Sequence, residues 1–299
     1  MLKYRGDALM NFKTNMDNVI EYIESNLNDT IDYSIISKKA CCSIYHFQRV
    51  FSYIFGIPLA EYIRRRRMTL AAFELHQSDI KVVDLTVKYG YDSQSSFSRA
   101  FQAFHGCSPT EARTGSKITK AFPRVSFHIN LNIGQEISYR IEKTEASIWF
   151  GKSIKIDANE ADSVKIYKKV FEFGNEIIQD GTHRKIMKYA GMKGDSLLTG
   201  IRYAFQEDGS QSFMYGAELV SQKLKEEYEL LNIPETIWAV FKHPYVVYPE
   251  TTLPLYHQIY SEWFPASRYV QTEGACMEKC YKDYIEIWLP VIKANLEKN

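Results

Sequence analysis

The sequence lacks the features that mark membrane and secreted proteins. Its 299 residues contain no run of about 18 apolar residues, and the first residues mix polar, apolar and oppositely charged side chains. Five cysteines are an odd number and are few for a chain of this length, which favours reduced thiols over a disulfide framework. We therefore expect a cytoplasmic protein with no membrane partner.

Signatures of metal and covalent chemistry are also absent. Cys276 and Cys280 are spaced one helical turn apart, but no histidine cluster accompanies them, so we predict no metal and no cofactor. We recognise no Ser-His-Asp or Cys-His set and no phosphate-binding glycine loop. The formal net charge is only +1, so nucleic-acid binding would have to come from the position of the basic residues and not from their number.

What the sequence does contain is an internal repeat with an offset of 50 residues, in a chain long enough for two domains. The identical pairs are Lys38 with Lys88, Ser43 with Ser93, Phe47 with Phe97, Arg49 with Arg99, Phe51 with Phe101, Gly56 with Gly106 and Glu61 with Glu111. One structural unit therefore occurs twice.

Each copy is typical of a helix, a short turn and a second helix. In the first copy, Asp32 or Ser34 is the predicted N-cap of a helix that ends at Ala40. The second helix starts at Ser43, and its apolar residues recur at spacings of three and four up to Phe55. In the second copy, the corresponding helices cover residues 84–89 and the segment that Ser93 or Ser95 caps.

Residues 12–114 resemble the DNA-binding domain of the AraC/XylS regulators. The similarity is carried by Phe47-Gln-Arg-Val-Phe51, Tyr62-Ile-Arg-Arg-Arg-Arg-Met68, Val87-Lys-Tyr-Gly-Tyr91 and Phe97-Ser-Arg-Ala-Phe101, with Gly56, Gly106 and Pro109. The resemblance implies an all-α domain with two helix-turn-helix units, for which we predict the bounds 8–114. The long helix over residues 61–75 then holds two recognition helices about one turn of DNA, roughly 34 Å, apart.

The resemblance further implies that the outward faces of the two recognition helices enter the major groove of double-stranded DNA. The predicted contacts are Ser43, Tyr45, His46, Gln48 and Arg49 in the first helix and Gln94, Ser95, Ser96 and Arg99 in the second. Arginine pairs with guanine and glutamine with adenine, which agrees with this interpretation. An exposed ion pair is the alternative for each arginine, and packing in a core is the alternative for His46. Of Arg64 to Arg67, we expect one or two to contact phosphate.

Behind a predicted linker at 115–136, the pattern changes to alternating strands and helices over residues 137–296. Strands are predicted at 137–142, 146–156, 197–205, 213–220, 236–241 and 284–291, and helices at 159–180 and 253–263. This order indicates an α+β domain, which we expect to consist of two similar halves.

The later part of this region resembles the GyrI-like effector-binding domain, the arrangement of Rob-like regulators. The residues that carry the similarity are Ile259-Tyr-Ser-Glu-Trp-Phe-Pro-Ala-Ser-Arg268 and Tyr284-Ile-Glu-Ile-Trp-Leu-Pro290. By this resemblance Glu286 lies in the ligand cleft, and strand alternation puts Tyr284 and Trp288 on its face. Further cleft candidates are Trp149, Tyr215, Trp238, Tyr260 and Trp263. A carboxylate between two rings suits a cation, whereas an ordinary half-exposed strand is the alternative.

We therefore predict a multidrug-sensing type of transcriptional regulator. It acts as an activator with RNA polymerase as a partner, binds an asymmetric site of about 20 bp, and is controlled by an amphipathic or cationic ligand. Hydrolysis of a small molecule by Glu286 is the alternative function, although we expect no enzyme. Constitutive DNA binding with a vestigial sensor is a third hypothesis.

Overall fold

The computed structural model describes residues 2–115, 117, 119–127, 137–157, 163–192, 197–206, 208–220, 228–244 and 252–293. The chain forms two compact units: unit 1 contains residues 1–9, 45–58 and 129–299, and unit 2 contains residues 10–44 and 59–128. Most of the predicted linker, at 116, 118 and 128–136, lies outside the described residues, as does the end of the predicted second domain at 294–296. The predicted domain bounds therefore stay predictions.

Residues 2–115 form an all-α region of helices joined by short turns, as predicted. The helices are α1 Leu2–Ser25, α2 Tyr33–Ala40, α3 Ile44–Phe55, α4 Leu59–Gln77, α5 Val82–Lys88, α6 Gln94–His105 and α7 Pro109–Arg113. The first helix-turn-helix is divided between the two units, because α2 belongs to unit 2 and α3 belongs to unit 1.

Local sequence explains where these helices begin and end. The side chain of Asp32 accepts a hydrogen bond from the Ser34 amide and caps α2, and Ser93 forms a capping box at the start of α6. Both predicted caps are thereby confirmed. Gly56 and Gly106 occupy equivalent positions in the repeat and adopt positive φ angles of 72° and 81°, where a side chain would be strained.

The core of unit 2 forms where α4 packs with α5, α6 and α7. Its buried residues are Met68, Ala71, Ala72, Leu75, Leu85, Tyr89, Phe97, Phe101, Cys107 and Ala112. The apolar stripe of the second repeat copy, Phe97 and Phe101, therefore faces this core, as its helical spacing predicts.

The four consecutive arginines of α4 all have partners within unit 2. Arg64 and Arg65 bind Glu61, with nitrogen–oxygen distances of 2.8 and 2.5 Å. Arg66 pairs with Glu24 at 2.8 Å, and Arg67 donates to the carbonyl oxygens of residues 27 and 29. These contacts show that the four arginines stabilise unit 2 itself. A phosphate contact from one of them stays a prediction.

Unit 1 contains an antiparallel sheet. Its strands are β1 Ser138–Thr144, β2 Ser147–Ile156, β3 Thr199–Tyr203, β4 Gln211–Glu218, β5 Glu229–Ile233, β6 Thr236–Pro244, β7 Tyr269–Gln271, β8 Cys276–Cys280 and β9 Tyr284–Lys293. Among the described residues, the strands run in the order β1-β6-β9-β8-β3-β4-β2-β5, and β7 pairs with β9. The strand sets β2-β4-β3 and β6-β9-β8 meet at the pair of β3 and β8. Two similar halves stay a prediction.

Besides α3, unit 1 contains helices that lie between its strands along the chain. They are α8 Ser163–Gln179, α9 Thr182–Tyr189, α10 Thr252–Gln258, a π-helical turn Ile259–Trp263 and α11 Phe264–Ala266. The α+β architecture is confirmed. The predicted helix over 253–263 changes to π-helix at Ile259, and α9, β5, β7 and β8 were not expected from the periodicity. No helix among the described residues is long and apolar enough to span a bilayer.

The two faces of the sheet differ in what covers them. On one face, Trp149, Trp238, Met277 and Trp288 belong to one buried cluster. On the other face, Phe213 of β4 packs with Ile166, Val170 and Phe173 of α8. Each face therefore presents a separate environment in which a charged side chain can be placed.

Candidate DNA-reading helices and ligand site

The predicted DNA contacts of α6 lie at the surface. Gln94, Ser95 and Arg99 are exposed, and Ser96 is half-buried. The hydroxyl of Ser96 donates to the carbonyl oxygen of Ser93 at 2.7 Å and so helps to hold the N-terminus of the helix. This face is available to a groove of DNA, and its contacts with bases stay a prediction.

The predicted contacts of the first recognition helix are more covered. Ser43, Tyr45, His46, Gln48 and Arg49 are all half-buried. Nη1 of Arg49 donates to Sγ of Cys276 at 3.2 Å, and its guanidinium carbon lies 4.5 Å from the ring centroid of Phe205. Nε of Arg49 is buried and has no hydrogen-bond partner among the described residues. The arginine is thus held inside unit 1 by a thiol and an aromatic face.

Two more side chains of α3 make aromatic contacts in unit 1. The ring of Tyr53 stacks on Tyr256 at 4.3 Å and 10°, and on Tyr260 at 5.2 Å and 11°. The ring of His46 lies 6.1 Å from Tyr260 and 6.1 Å from Phe264. Burial and, after it, the charge of Arg49 lower the pKa of His46 to about 3, although a hydrogen bond with Gln271 acts in the opposite direction. His46 is therefore neutral at physiological pH.

Tyr53 contacts a buried group of charged and phenolic side chains, which we call the Glu278 cluster. Its members are Tyr167, Arg202, Tyr256, Tyr260 and Glu278. Nη1 of Arg202 donates to the Tyr53 hydroxyl at 3.0 Å, and its Nη2 lies 3.3 Å from the Glu278 carboxylate. The Tyr256 hydroxyl donates to the same carboxylate oxygen at 2.9 Å. Arg202 and Glu278 are each only 5% exposed. A paired charge in this environment is weakly screened by solvent.

Aromatic rings surround the charges of the Glu278 cluster. The guanidinium carbon of Arg202 lies 4.8 Å from the Tyr167 ring centroid. Burial raises the pKa values of Tyr167 and Tyr256 well above their usual range, and the nearby charge of Glu278 raises them further. Both hydroxyls therefore keep their protons and remain hydrogen-bond donors to the carboxylate.

The strand register explains why these residues meet. In the antiparallel pair of β3 and β8, Arg202 is opposite Cys276 and Gly200 is opposite Glu278. Because side chains alternate along a strand, Arg202, Cys276 and Glu278 share one face, and Met277 points to the other. A Cβ at Gly200 would lie 3.0 Å from the Phe213 ring, so glycine leaves room for this ring beside the cluster.

Glu286 lies in a different environment. Its carboxylate accepts two hydrogen bonds from Arg140, at 2.7 and 3.1 Å, and one from Nε1 of Trp288 at 3.0 Å. Burial raises the pKa of Glu286, but these hydrogen bonds outweigh it and leave the pKa below its usual value. Nζ of Lys279 lies 3.5 Å from the Trp288 ring centroid, and Nζ of Lys242 lies 3.8 Å from that of Tyr284. The protein's own cations therefore cover these rings.

Five of the eight predicted ligand contacts, Tyr284 among them, lie on the sheet face that carries Glu286, and the other three pack at separate places. Glu286 and Trp288 share their sheet face with Trp149 and Trp238, and the rings of Trp238 and Trp288 lie 5.9 Å apart. The other predicted contacts, Tyr215, Tyr260 and Trp263, pack with the helices or the end of the sheet. Tyr215 packs on Phe173, Tyr260 on Tyr53, and Trp263 on Phe241 and Tyr139. All eight contacts stay predictions.

The sequence analysis did not identify the charged residues at the centre of the Glu278 cluster. Glu278 and Arg202 did not stand out, because β8 is short and carries a cysteine at each end. One signal in the sequence could have indicated the cluster. Tyrosines occur on the helical segments that precede β8, at Tyr167, Tyr256 and Tyr260, and β8 itself contains one carboxylate, Glu278. Within the described residues, no group of three or more His, Cys, Asp or Glu side chains is arranged to hold a metal ion.

Two family models match the chain. A model described as a helix-turn-helix domain matches residues 36–115, and one described as an integron-associated effector binding protein matches residues 140–291, about half of the chain. The helix-turn-helix match covers both α3 and α6, and the second match covers the sheet and the Glu278 cluster.

Several curated proteins are similar to about a third of the chain. The HTH-type transcriptional activator AarP of Providencia stuartii is 42% identical over 92 residues, which is 31% of this chain and 68% of AarP. The regulatory protein SoxS of Salmonella typhimurium is 34% identical over 95 residues, which is 32% of this chain and 89% of SoxS. The solved structure of SAV2435 bound to tetraphenylphosphonium has 14% identity, covering 52% of this chain and 94% of that chain with a TM-score of 0.44.

The fold and the two family matches define a DNA-binding transcriptional regulator that carries an effector-binding module. The chain belongs to the AraC-type helix-turn-helix regulators and, over residues 140–291, to the family of integron-associated effector binding proteins.

Proposed function

We propose that this protein is a transcriptional activator whose DNA binding is controlled by an aromatic cation held at the Glu278 cluster. The observation that carries the proposal is the buried carboxylate of Glu278, which lies among phenolic rings, accepts a hydrogen bond from Tyr256 and already has a delocalised cation, the guanidinium group of Arg202, at 3.3 Å. A desolvated carboxylate beside aromatic faces binds cations that are weakly hydrated, because such cations lose little hydration energy on entering the site.

The cluster accommodates delocalised positive charge. The guanidinium group of Arg202 already lies against the Tyr167 ring of the cluster, and that of Arg49 lies over Phe205 outside the cluster. A ligand of the same chemistry is an amidinium, guanidinium or aromatic ammonium ion joined to a flat apolar group. The match to an effector-binding family supports a small molecule as the occupant.

On the DNA side, we propose an asymmetric operator of about 20 bp, read by two unlike helices in one chain. The predicted base contacts are Arg49 and Arg99, each suited to guanine. Because AarP is named a transcriptional activator, we propose that this protein also activates, with RNA polymerase as its partner in the cytoplasm.

We propose a sensor and not an enzyme. One matched family is described as a helix-turn-helix domain and the other as an effector binding protein, so the hydrolase alternative has no support from the family matches. Glu286 is held by two hydrogen bonds from Arg140, and this pairing weakens it as a general base.

The experiment uses two ligands of nearly equal shape, biphenyl-4-carboxamidine, which is a cation, and biphenyl-4-carboxamide, which is neutral. Titration calorimetry compares the parent protein with Glu278→Gln and Glu286→Gln. We expect Glu278→Gln to weaken the cation at least 10-fold, about 1.4 kcal/mol, and to change the neutral ligand little. Glu286→Gln should change either affinity less than three-fold.

The variants also separate the two carboxylates. A selective loss at Glu286→Gln would place the ligand beside Trp288, as the sequence resemblance predicts. Equal losses for the cation and the neutral ligand in Glu278→Gln would show that Glu278 shapes the fold without recognising charge. Absence of binding by either ligand, with DNA binding unaffected by both, would favour a vestigial sensor.

A further inference from the structure

The first recognition helix, α3, lies in the same compact unit as the effector-binding module and places its own side chains at the proposed ligand site. We infer that α3 is an internal ligand of the Glu278 cluster, and that the effector relieves autoinhibition by replacing Arg49 and Tyr53. This inference rests on the proposed function, because it names the regulation of that same site.

Tyr53 fills the aromatic part of the site. Its ring is nearly parallel to Tyr256 and Tyr260, and its hydroxyl accepts a hydrogen bond from Arg202 at 3.0 Å. Burial raises the pKa of Tyr53, so the phenol stays neutral in this position. A flat ring of a ligand, stacked on Tyr256 and Tyr260, would need the place that Tyr53 occupies.

Arg49 places a second positive charge at the edge of the Glu278 cluster, near the ring of Tyr260. Its guanidinium group lies over Phe205 and against the buried thiol of Cys276. Burial raises the pKa of this thiol and keeps it uncharged, so the thiol is a weak hydrogen-bond acceptor for the arginine. The buried Nε of Arg49 has no partner among the described residues, which makes this placement costly. A better matched cation can therefore displace the arginine.

The same side chain cannot serve both sites at once. Arg49 is a predicted base contact, and it does not reach a guanine while its guanidinium group lies over Phe205. DNA and the effector both favour the released state of α3, since each needs the docked arrangement to open. Two ligands that favour one state bind with positive coupling. The effector should therefore increase affinity for DNA.

The first test needs no effector. DNA is selected from a random duplex pool with the full chain, and its affinity is then measured for the parent and for Tyr53→Ala. Alanine keeps the helix propensity of α3 and removes the stacked ring and its hydroxyl. We expect Tyr53→Ala to bind DNA at least 10-fold more tightly than the parent in the absence of ligand. Unchanged or weaker binding by a folded Tyr53→Ala would overturn the inference.

A second variant approaches the contact from the other partner. Tyr256→Ala removes the ring on which Tyr53 stacks and leaves α3 unaltered, so it decides the matter if Tyr53→Ala does not fold. It should also raise DNA affinity 10-fold or more, and the double variant should gain less than the two single gains combined. The matched control is Tyr281→Ala, a partly exposed tyrosine outside the Glu278 cluster, which should leave DNA affinity unchanged.

Cation binding distinguishes failure of this inference from failure of the proposed function. Tyr53→Ala should bind biphenyl-4-carboxamidine at least 10-fold more tightly than the parent, because the internal competitor is gone. Equal cation affinity of the two proteins, together with a selective loss in Glu278→Gln, would overturn the autoinhibition and leave the proposed site intact. If no cation binds, but Tyr53→Ala gains DNA affinity, the autoinhibitory contact stands and the proposed effector chemistry is wrong.

Discussion

The two recognition helices descend from one repeated pattern, but the structure treats them differently. In α6 the predicted DNA contacts Gln94, Ser95 and Arg99 are exposed, whereas in α3 Arg49 donates to Cys276 and lies over Phe205. The same arginine position in two copies of a motif therefore has two environments. A conserved spacing in sequence fixes the local helix and leaves its tertiary partners open.

The positions that differ between the copies explain this contrast. Tyr53 corresponds in the repeat to Ala103, which is exposed, and His46 corresponds to Ser96. The aromatic rings that pack with Tyr256, Tyr260 and Phe264 are thus specific to α3. Because of these two differences, α3 has an aromatic surface that packs on the effector-binding module, whereas α6 has small or polar residues at the same positions.

The largest expected effect is a loss of DNA affinity on replacing Arg49 or Arg99, the equivalent arginines of the two repeat copies. Arg99→Ala should weaken DNA binding by about 1–3 kcal/mol with or without a cation, because Arg99 is exposed while α3 is docked. Arg49→Ala should show a loss of that size only in the Tyr53→Ala background, where α3 is released. The measurement is a binding isotherm for four proteins on one selected operator. Equal losses in both backgrounds for Arg49→Ala would mean that α3 reads DNA without being released.

A smaller effect is expected from the cap of α6. Ser93→Ala removes the capping box with Ser96 and should lower the free energy of unfolding by about 1 kcal/mol. It should also weaken DNA binding, since Gln94 and Ser95 belong to the first turn. Urea unfolding measures the first effect, with Ser98→Ala in the same helix as a control that keeps the cap. A stability loss equal in both variants would refute the role of the cap.

The smallest effect is the titration of His46. Burial and the charge of Arg49 lower its pKa to about 3, whereas released histidine has a pKa near 6.5. Between these values the released state binds more protons. The docked arrangement is therefore fully favoured well above pH 6.5 and loses stability as the pH falls toward 3, by about 0.8 kcal/mol at pH 6.0. Proton NMR, with His46→Gln to assign the signal, should show His46 neutral at pH 5. A midpoint near 6.5 would show that His46 is not buried in unit 1.

Local features of the fold follow from the sequence because local interactions decide them. Spacings of three and four residues predict α3 and α6, the Asp32 and Ser93 side chains mark helix starts, and alternation predicts β9. These features depend on residues within a few positions of one another. The all-α and α+β division and the two family resemblances were accordingly confirmed.

The site was harder to predict, since it depends on pairings between distant segments. Alternation puts Glu286 on a face with Trp288, but only the pairing of β6 with both β1 and β9 shows that Arg140 reaches it. Likewise, the sequence of β8 does not show that Glu278 has a charged partner, because the pairing of β8 with β3 places Arg202 beside it. The packing of Tyr53 on Tyr256 depends on a tertiary contact that no local pattern encodes.

Hydroxyl-radical footprinting of the selected operator tests most directly the claim that the effector-binding module withholds α3 and leaves α6 available. Without cation, the parent should protect one half-site, about 10 bp, and saturating biphenyl-4-carboxamidine or the Tyr53→Ala change should extend protection to about 20 bp. Ser93→Ala should weaken the half-site that is protected first. Protection of both half-sites by the ligand-free parent, unchanged by the cation and by Tyr53→Ala, would contradict the account.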